Sequence, residues 1–493
     1  MQFLLHEAIL LKPYDMNNLL SPRFGLGVAL AALATILTGC ATPVPQAMPP
    51  SAIPQRFSAP VPSSAQIWPD ATWWKSFGDA QLTSLIEEAE KNNGDLAVAS
   101  ARILEAEARS RITRSALLPN VSAGGGYING DCKGPSCAQF TNAKDYELNF
   151  SASYQLDFWG LARDNLRGAE AELKTARYAQ QSVALSVASS VASQYLNVLA
   201  LRSRLTIANE NIAAINGILD LIKLRVKAGS VSHLDLASEQ AQVEAVEARL
   251  PQLEIAERQA VYALAVLLGR TPEGFDVKDA KLDSVNPPQV APGVPSALLF
   301  RRPDIAAAEA QLVAAHANVD AARAAFLPQI SLTGSGGFIS AAVHTLLRSS
   351  QFGYDYGANL LEAIFDGGKL RGEKHLAEAT EREYIARYRT AVYNAFADVD
   401  TALIEVANTA TQQDHLEREV AAAREAFQIS QLQYRQGVAD LLTVLQAQQT
   451  LFSAEDQLIQ ALLANRQASV ALFAALGGGW LDVGTKQQAL SHY

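Results

Sequence analysis

Three cysteines carry the reactive thiols of this chain, at positions 40, 132 and 137. Cys132 and Cys137 lie in one polar stretch that contains glycine and proline. In an oxidising compartment, a short-loop disulfide between these two cysteines is favoured over the alternative of two free thiols. Their spacing does not resemble a zinc-binding cysteine pair, and the chain has no second pair. The sequence therefore predicts no metal site.

Cys40 ends an N-terminal targeting segment. The apolar run from Phe24 to Leu37 is too short for a membrane-spanning helix but has the length of a signal core. Leu37-Thr38-Gly39-Cys40 resembles a bacterial lipobox, in which small residues form the peptidase site and the cysteine thiol takes the lipid. A plain signal peptide with an incidental cysteine is the alternative. Residues 1–39 are predicted to be a signal peptide, and Cys40 the lipidated first residue of the mature chain.

The remaining polar residues form no recognisable catalytic constellation. The sequence contains no nucleophile elbow, zinc-protease helix, P-loop or dinucleotide-binding glycine pattern. The chain is therefore predicted not to be an enzyme and to need no cofactor. A net charge of −10 gives no electrostatic reason to expect a nucleic-acid partner.

The rest of the chain is an internal duplication. Segments around a turn glycine, a helix end and a Leu-Pro pair each recur about 208 residues later. The matching pairs are Leu224–Val231 with Leu432–Ala439, Leu267–Gly269 with Ala475–Gly477, and Leu118–Ser122 with Leu327–Ser331. Such a repeat predicts two copies of one structural unit.

Composition and the repeat together predict six divisions of the chain. Prolines dominate the stretch after Cys40, which indicates an extended segment. In chain order, the predicted divisions are a signal peptide (1–39), a lipid-anchored extended segment (40–72), repeat one (73–269), a linker (270–300), repeat two (301–479) and a C-terminal tail (480–493).

Each repeat contains a predicted β-hairpin. Residues Tyr146 to Asp157 alternate between apolar and polar side chains, and Gln351 to Leu360 repeat the pattern. Glycine-rich partner strands are predicted at Val121 to Ile128 and Ile330 to Ile339. A strand over an ordinary core could look similar, but a length of about twelve residues with aromatics towards both ends fits a transmembrane barrel, with lipid outside and water inside.

Four strands per chain cannot close a barrel, and lipid does not tolerate an open sheet edge. The chain must therefore oligomerise. Two copies would give eight strands in a filled or nearly filled barrel, whereas three give twelve strands around a pore. Three copies are favoured.

Long helices make up most of each repeat. Leu161 to Lys227 contains no proline and could extend about 100 Å at about 1.5 Å per residue. The chain then reverses at Gly229 and returns through Leu234 to Leu268, with a kink at Pro251. A matching helix runs from about Leu370 to Gln436 and reverses at Gly437. We call these two reversals the first and second tips.

The predicted fold class is thus mixed α and β, mainly α. The full expectation is a trimeric transmembrane β-barrel with four strands per chain, continued by a long periplasmic α-helical coiled-coil barrel.

This organisation resembles the TolC-like outer-membrane efflux factor family, in its lipoprotein (OprM/NodT-type) branch. The motifs that carry the resemblance, in order, are Leu37-Thr38-Gly39-Cys40, Trp73-Trp74 with Phe77-Gly78-Asp79, Arg301-Arg302-Pro303-Asp304-Ile305, Ile364-Phe365-Asp366-Gly367-Gly368, and Tyr434-Arg435-Gln436-Gly437. The resemblance implies a homotrimeric, passive duct in the outer-membrane lipid that extends into the periplasm. It also implies two protein partners, a periplasmic adaptor and an inner-membrane pump.

The resemblance also implies a gate near the tips. By position relative to the tip glycines, its members here are Asp235 and Tyr434, and a carboxylate–phenol hydrogen bond contributes about 1.5 to 3 kcal/mol. Asp440 is a further candidate, as an acidic constriction. Ala439, Thr443 and Gln446 depart from the family's usual salt-bridge network. An ordinary polar helix surface is the alternative for Asp235 and Tyr434.

The tips are expected to contact the adaptor. The candidate residues are Arg225, Gly229, Ser230, Val231, Arg435, Gly437, Val438 and Ala439. For the cations among them, the alternative is a favourable position at a helix C-terminus.

The favoured function is the outer-membrane channel of a tripartite efflux system with a resistance-nodulation-division (RND) pump, which conducts drugs or other small molecules. The alternatives are a type I secretion duct and a non-porous periplasmic lipoprotein scaffold. The sequence does not identify the transported substrate.

Overall fold

The computed structural model describes residues 43–45, 47–49, 53–58, 68–130, 143–288, 290 and 294–480. The predicted signal peptide, Cys40, Cys132 and Cys137 lie outside these residues.

Eight α-helices and four β-strands make up most of the described chain. A short 3-10 helix at Trp73–Phe77 comes before them. The helices are α1 (Ala80–Asn92), α2 (Gly94–Ser115), α3 (Leu161–Lys227), α4 (His233–Glu247), α5 (Leu250–Leu267), α6 (Pro303–Ala324), α7 (Lys369–Arg435) and α8 (Leu441–Ala475). The strands are β1 (Asn120–Gly130), β2 (Ala143–Leu156), β3 (Gln329–Ser340) and β4 (Phe352–Leu361).

The element order repeats once along the chain. The series α2, β1, β2, α3 and the returning helices α4 and α5 corresponds to α6, β3, β4, α7 and α8. Both α2 and α6 have 22 residues, and both α3 and α7 have 67 residues. The fold is therefore mainly helical with a small antiparallel sheet, as the sequence predicted at this coarse level.

The described residues divide into two compact units. The first consists mainly of residues 112–167 and 317–377 and contains the sheet. The second consists mainly of residues 168–316 and 378–480, together with described residues between 45 and 111. Both tips belong to this second unit.

In the first unit, the four strands form one antiparallel sheet in the order β1-β2-β3-β4. The register places apolar residues of neighbouring strands side by side: Phe150 of β2 is opposite Ala123 and Gly336, and Tyr146 is opposite Tyr127. The other face is polar, where Ser122 and Ser151 are hydrogen-bonded at 2.7 Å. The sheet thus has one apolar face and one polar face.

The apolar face of this sheet is exposed. Tyr356 is 85% exposed, Tyr354 73%, Val121 72% and Phe150 51%. The described residues of one chain do not cover these side chains, as a core beneath the sheet within the same chain would. An exposed apolar sheet of this size requires a lipid or protein neighbour.

An aspartate follows the second strand of each hairpin and caps the long helix after it. Asp157 accepts hydrogen bonds from the backbone N–H groups of Ala162 and Arg163, at 3.0 Å each. Asp366 accepts from the N–H groups of Gly368 and Leu370, at 2.8 Å each. Because the first turn of a helix has unsatisfied donors, each aspartate stabilises the strand-to-helix transition. Asp157 was predicted as the last strand residue, but the strand ends at Leu156.

In the second unit, the end of each returning helix packs against the residues just before the start of α2 or α6. Gly269 and Gly477 both have positive φ, and their Cα atoms lie against the carbonyls of Asn92 and Arg301. Asn93 Nδ2 donates to Leu267 O at 2.8 Å, and Arg302 Nη1 donates to Ala475 O at 3.1 Å. The two repeats therefore have equivalent tertiary contacts. Asn93 in one repeat and Arg302 in the other each donate to a carbonyl at the end of a returning helix.

The return from the first tip differs in detail from the prediction. A kink was expected at Pro251, but the helix is broken slightly earlier, and Ala248 and Arg249 separate α4 from α5. Pro251 occupies the first turn of α5, where its missing N–H group costs no hydrogen bond. Proline therefore begins a new helix here.

Two helices, α3 and α8, are long and apolar enough to cross a membrane by length and composition alone. Half of the most apolar window of α3, and 61% of that of α8, is buried within the chain. Such burial is typical of core helices, which explains their apolar composition without a membrane.

Candidate functional site

The two tips have the same backbone geometry. At the first tip Gly229 N donates to Val226 O and Ser230 N donates to Arg225 O. At the second tip Gly437 N donates to Tyr434 O and Val438 N donates to Gln433 O. Both glycines have φ above +70°. This paired bonding is a Schellman motif, which needs a left-handed residue and ends each long helix abruptly.

The predicted tip residues are mostly accessible. Gly229, Ser230, Arg435 and Gly437 are exposed, and Val438 is 74% exposed. Val231 and Ala439 are half-buried. These exposed residues are accessible to a protein partner. Contact of each of them with the adaptor stays a prediction.

Arg225 joins the two tips within one chain. Its Nη1 donates to Tyr434 O at 3.1 Å, and its Nη2 donates to Arg435 O at 2.8 Å. The guanidinium carbon also lies 4.7 Å from the centroid of the Tyr434 ring. These carbonyls end α7, so the cation stabilises the negative end of a helix from the other repeat. The sequence had assigned Arg225 to the adaptor or to the end of its own helix.

The candidate gate acids cap the helices that follow the tips. Asp235 Oδ2 accepts from Ser232 N and Ser232 Oγ, at 3.0 Å each, and the Ser232 side chain accepts in turn from Asp235 N. This capping box starts α4. Asp440 starts α8 and accepts from Thr443 N at 2.9 Å. Hydrogen bonds from Thr443 hold the pKa of Asp440 below its ordinary value.

Tyr434 lies near these groups with its hydroxyl group buried. The side chain is 5% exposed, and the hydroxyl has no hydrogen-bond partner among the described residues. Burial is the main cause that raises the pKa of Tyr434, while the Arg225 cation acts in the opposite direction and the charge of Asp235 adds to the rise. An Asp235–Tyr434 bond is absent from this arrangement of the described chain, and the gate role of Asp235, Tyr434 and Asp440 stays a prediction.

Two polar residues in the helices that follow the tips were not predicted from the sequence. Glu239 on α4 and Gln448 on α8 are both 0% exposed. The spacing of residues along α8 could have indicated Gln448. It lies between Val444 and Leu451 on one helix face, where a seam of packed helices normally has an apolar residue. The burial of Glu239 raises its pKa to about 7.

Within the described part of the chain, no group of three or more His, Cys, Asp or Glu side chains could hold a metal ion. The geometry near the tips consists instead of helix caps, backbone contacts and buried polar groups. Such features can hold the helices near the tips together or allow them to separate.

Comparison with known proteins identifies the family. The sequence pattern of the outer membrane efflux protein family matches residues 85–270 and again 294–478. The pyoverdine export outer membrane protein OpmQ of Pseudomonas putida is 39% identical over 465 residues, which cover 92% of this chain and 97% of OpmQ. The cation efflux system protein CusC of Escherichia coli O6:H1 is 30% identical over 91% of this chain and 97% of CusC.

A solved structure of the outer-membrane channel OprN superimposes on this chain with a TM-score of 0.83. It is 28% identical and covers 90% of this chain and 99% of OprN. Similarity in sequence and fold therefore extends over nearly the whole length of these proteins. The chain belongs to the outer membrane efflux protein family and is an outer-membrane efflux channel component, as the sequence predicted.

Proposed function

We propose that three copies of this chain form one duct through the outer membrane, which an adaptor and an RND pump supply from the periplasm. The observation that carries the proposal is the sheet with an exposed apolar face and a polar opposite face. β1 and β4 are its outer strands, so copies can pair edge to edge. Twelve strands close a barrel around a water-filled pore, whereas four leave two edges in lipid.

The test of this proposal is extraction of the full chain in mild detergent, followed by electrophoresis with and without heating. We expect a band three times the monomer mass that collapses to monomer on boiling. The same preparation should conduct ions in planar lipid bilayers. A monomer that is soluble once its lipid is removed, and that forms no channels, would favour the scaffold alternative.

The proposed cargo is a small molecule that the pump selects. Names of the relatives refer to pyoverdine and to cations, which differ widely in size and chemistry. Similar channels therefore serve unlike cargoes. A type I secretion duct remains the second candidate for the same fold, and co-purification separates the two: an RND pump supports the first, and an ATP-driven transporter supports the second.

The proposed organisation of the chain follows the predicted divisions, with both tips directed to the adaptor. The exposed tip residues and the Asp235, Tyr434 and Asp440 gate belong to this proposal. Arg225 supports it, because one side chain holds both tips of a copy together.

Replacement of Arg225 by alanine should loosen the two tips. Two hydrogen bonds from a charged donor and one cation–π contact are lost, at a cost of about 2 kcal/mol after allowance for partial exposure. We expect a several-fold increase in the open probability of single channels. Lys227→Ala, at the exposed end of the same helix, is the matched control and should leave it unchanged. An equal open probability in the two variants would show that Arg225 does not contribute to the gate.

The lipid anchor is proposed at Cys40. Growth with radioactive palmitate should label the wild-type chain, and Cys40→Ser should abolish the label. Cys132→Ser should retain it, since that residue is proposed to pair with Cys137. Label retained in Cys40→Ser would contradict the assignment of the lipobox.

A further inference from the structure

Glu239 and Gln448 are buried polar groups without partners. Both side chains are 0% exposed, and neither the carboxylate oxygens of Glu239 nor the amide atoms of Gln448 have a hydrogen-bond partner among the described residues. Native proteins pair nearly all such groups, because an unpaired one loses its hydrogen bonds to water and gains nothing. Two of them in the same group of helices call for an explanation.

Apolar side chains surround both groups. Residues one turn on either side of Glu239 are Leu236 and Val243, and Val243 packs against Ile215 and Leu219 of α3. Leu236 also packs against the apolar cluster that contains Val444 and Leu451, which flank Gln448. Glu239 and Gln448 therefore interrupt one apolar seam, formed where α4 packs against α3 and α8. We call it the tip seam.

No cation in the described part of the chain neutralises Glu239. Near the tip seam we consider α4 and residues 204–227 of α3, 416–435 of α7 and 441–456 of α8. Besides Glu239, the half-buried or buried charged and titratable side chains there are Asp235 on α4, Arg225 and Arg204 on α3, Tyr434 on α7, and Glu455 and Asp456 on α8. Both of these arginines are engaged elsewhere: Arg225 binds the carbonyls that end α7, and Arg204 pairs with Asp456 at 2.6 Å. Glu455 is paired with Arg424 at 2.7 Å. Neither Asp235 nor Tyr434 can supply a positive charge.

A carboxyl group in such a place is stable when it is neutral. An ionised carboxylate in an apolar seam without a partner is strongly disfavoured, so the packed seam keeps the proton on Glu239. Burial is the sole cause of the rise in its pKa, from 4.5 to about 7. Exposure to water would remove that cause and return the pKa to its ordinary value.

We propose that Glu239 is a proton-binding switch: its neutral carboxyl group keeps α4 packed in the tip seam, and its ionisation releases α4. This inference rests on the proposed function, because release of α4 matters only where the tips form the entrance of a duct. Glu239 thus links the opening of the entrance to pH.

The direction of the effect follows from proton binding. Since the packed seam holds its proton more tightly than the released state, the packed state is favoured most at acid pH. As pH rises above 4.5 the released carboxyl ionises first, and above about 7 the packed carboxyl ionises too. The ratio of released to packed seam should therefore increase on the order of 50-fold between pH 5 and pH 8.

The test is single-channel recording of the full chain in planar bilayers at pH 5, 6, 7 and 8. We expect the open probability of the wild type to rise steeply with pH. Glu239→Gln keeps the shape of the neutral side chain but cannot ionise. Its open probability should therefore stay, at every pH, at the level that the wild type has at acid pH. Glu244→Gln, an exposed glutamate on the same helix, is the control and should behave as wild type. A full pH response in Glu239→Gln would overturn the proposal.

Hydrogen exchange separates failure of this switch from failure of the proposed function. Protection of the α4 amides, corrected for the intrinsic exchange rate at each pH, should fall from pH 5 to pH 8 in wild type and stay constant in Glu239→Gln. Gln448→Leu makes the seam more apolar, so it should move the midpoint to higher pH. These results would support the switch even in a protein that forms no channels, and constant protection in wild type would refute it.

Discussion

Replacement of Gly477 by alanine is expected to destabilise the second unit strongly. The backbone of Gly477 has a φ of +88°, which L-residues adopt only with strain. An alanine Cβ would also overlap the carbonyl of Arg301, which is backbone and cannot rotate away. Strain and overlap together should cost about 3 kcal/mol or more. That is a large part of the stability of an ordinary domain.

Gly78→Ala is the matched control for this effect. Gly78 also has a positive φ, of +73°, but a Cβ built there meets nothing within 4 Å. Its replacement should cost only the strain, about 1 kcal/mol. Thermal unfolding by circular dichroism and the yield of folded protein would measure both. Equal stability of the two variants would show that the chain relaxes around Gly477 and that the contact with Arg301 is not rigid.

The repeat-equivalent Gly269→Ala extends this comparison. A Cβ there would overlap the carbonyl of Asn92, at a φ of +69°. We expect a loss of stability of the same size, because both repeats use the same close approach between a helix end and the residues just before another helix.

Replacement of Ala152 by arginine is expected to prevent assembly in the outer membrane. Ala152 lies on the apolar face of the sheet, opposite Val121 and Gly334. An arginine that faces lipid within a transmembrane strand costs about 2 to 4 kcal/mol in each chain, and the proposed trimer would carry three. Heat-modifiable trimer in outer-membrane fractions should fall at least tenfold.

The variant Ser153→Arg tests which face of the sheet contacts lipid and which contacts water. Ser153 is the next residue along β2, of similar size, and lies opposite Asn120 and Thr333 on the polar face. This variant should assemble normally, because a charge that faces water costs little, but its single-channel conductance for cations should fall. Assembly of Ala152→Arg together with failure of Ser153→Arg would reverse the assignment of the two faces.

Much of the local structure could be predicted because it depends on local patterns. The helix predicted from Leu161 to Lys227 is α3 as observed, and the second long helix differs from its prediction by one residue at each end. Gly229 and Gly437 end these helices as expected, since few other residues adopt a left-handed backbone so readily. Strand limits were less accurate. Asp157 continued the alternation, but it caps the next helix instead.

Periodicity, turn residues and the duplication in the sequence were sufficient to predict the order of the elements and the two faces of the sheet, and the resemblance of its motifs to a known family predicted the family. Helix, strand and turn patterns depend mainly on residues close together in the chain. They can therefore be recognised in the sequence without the tertiary structure. Only the tertiary structure decided the partners of Arg225, the close approaches of Gly269 and Gly477, and the burial of Glu239. Each of these depends on which distant helices meet, because burial and neighbouring charge, more than residue type, set the protonation and the contacts of a side chain.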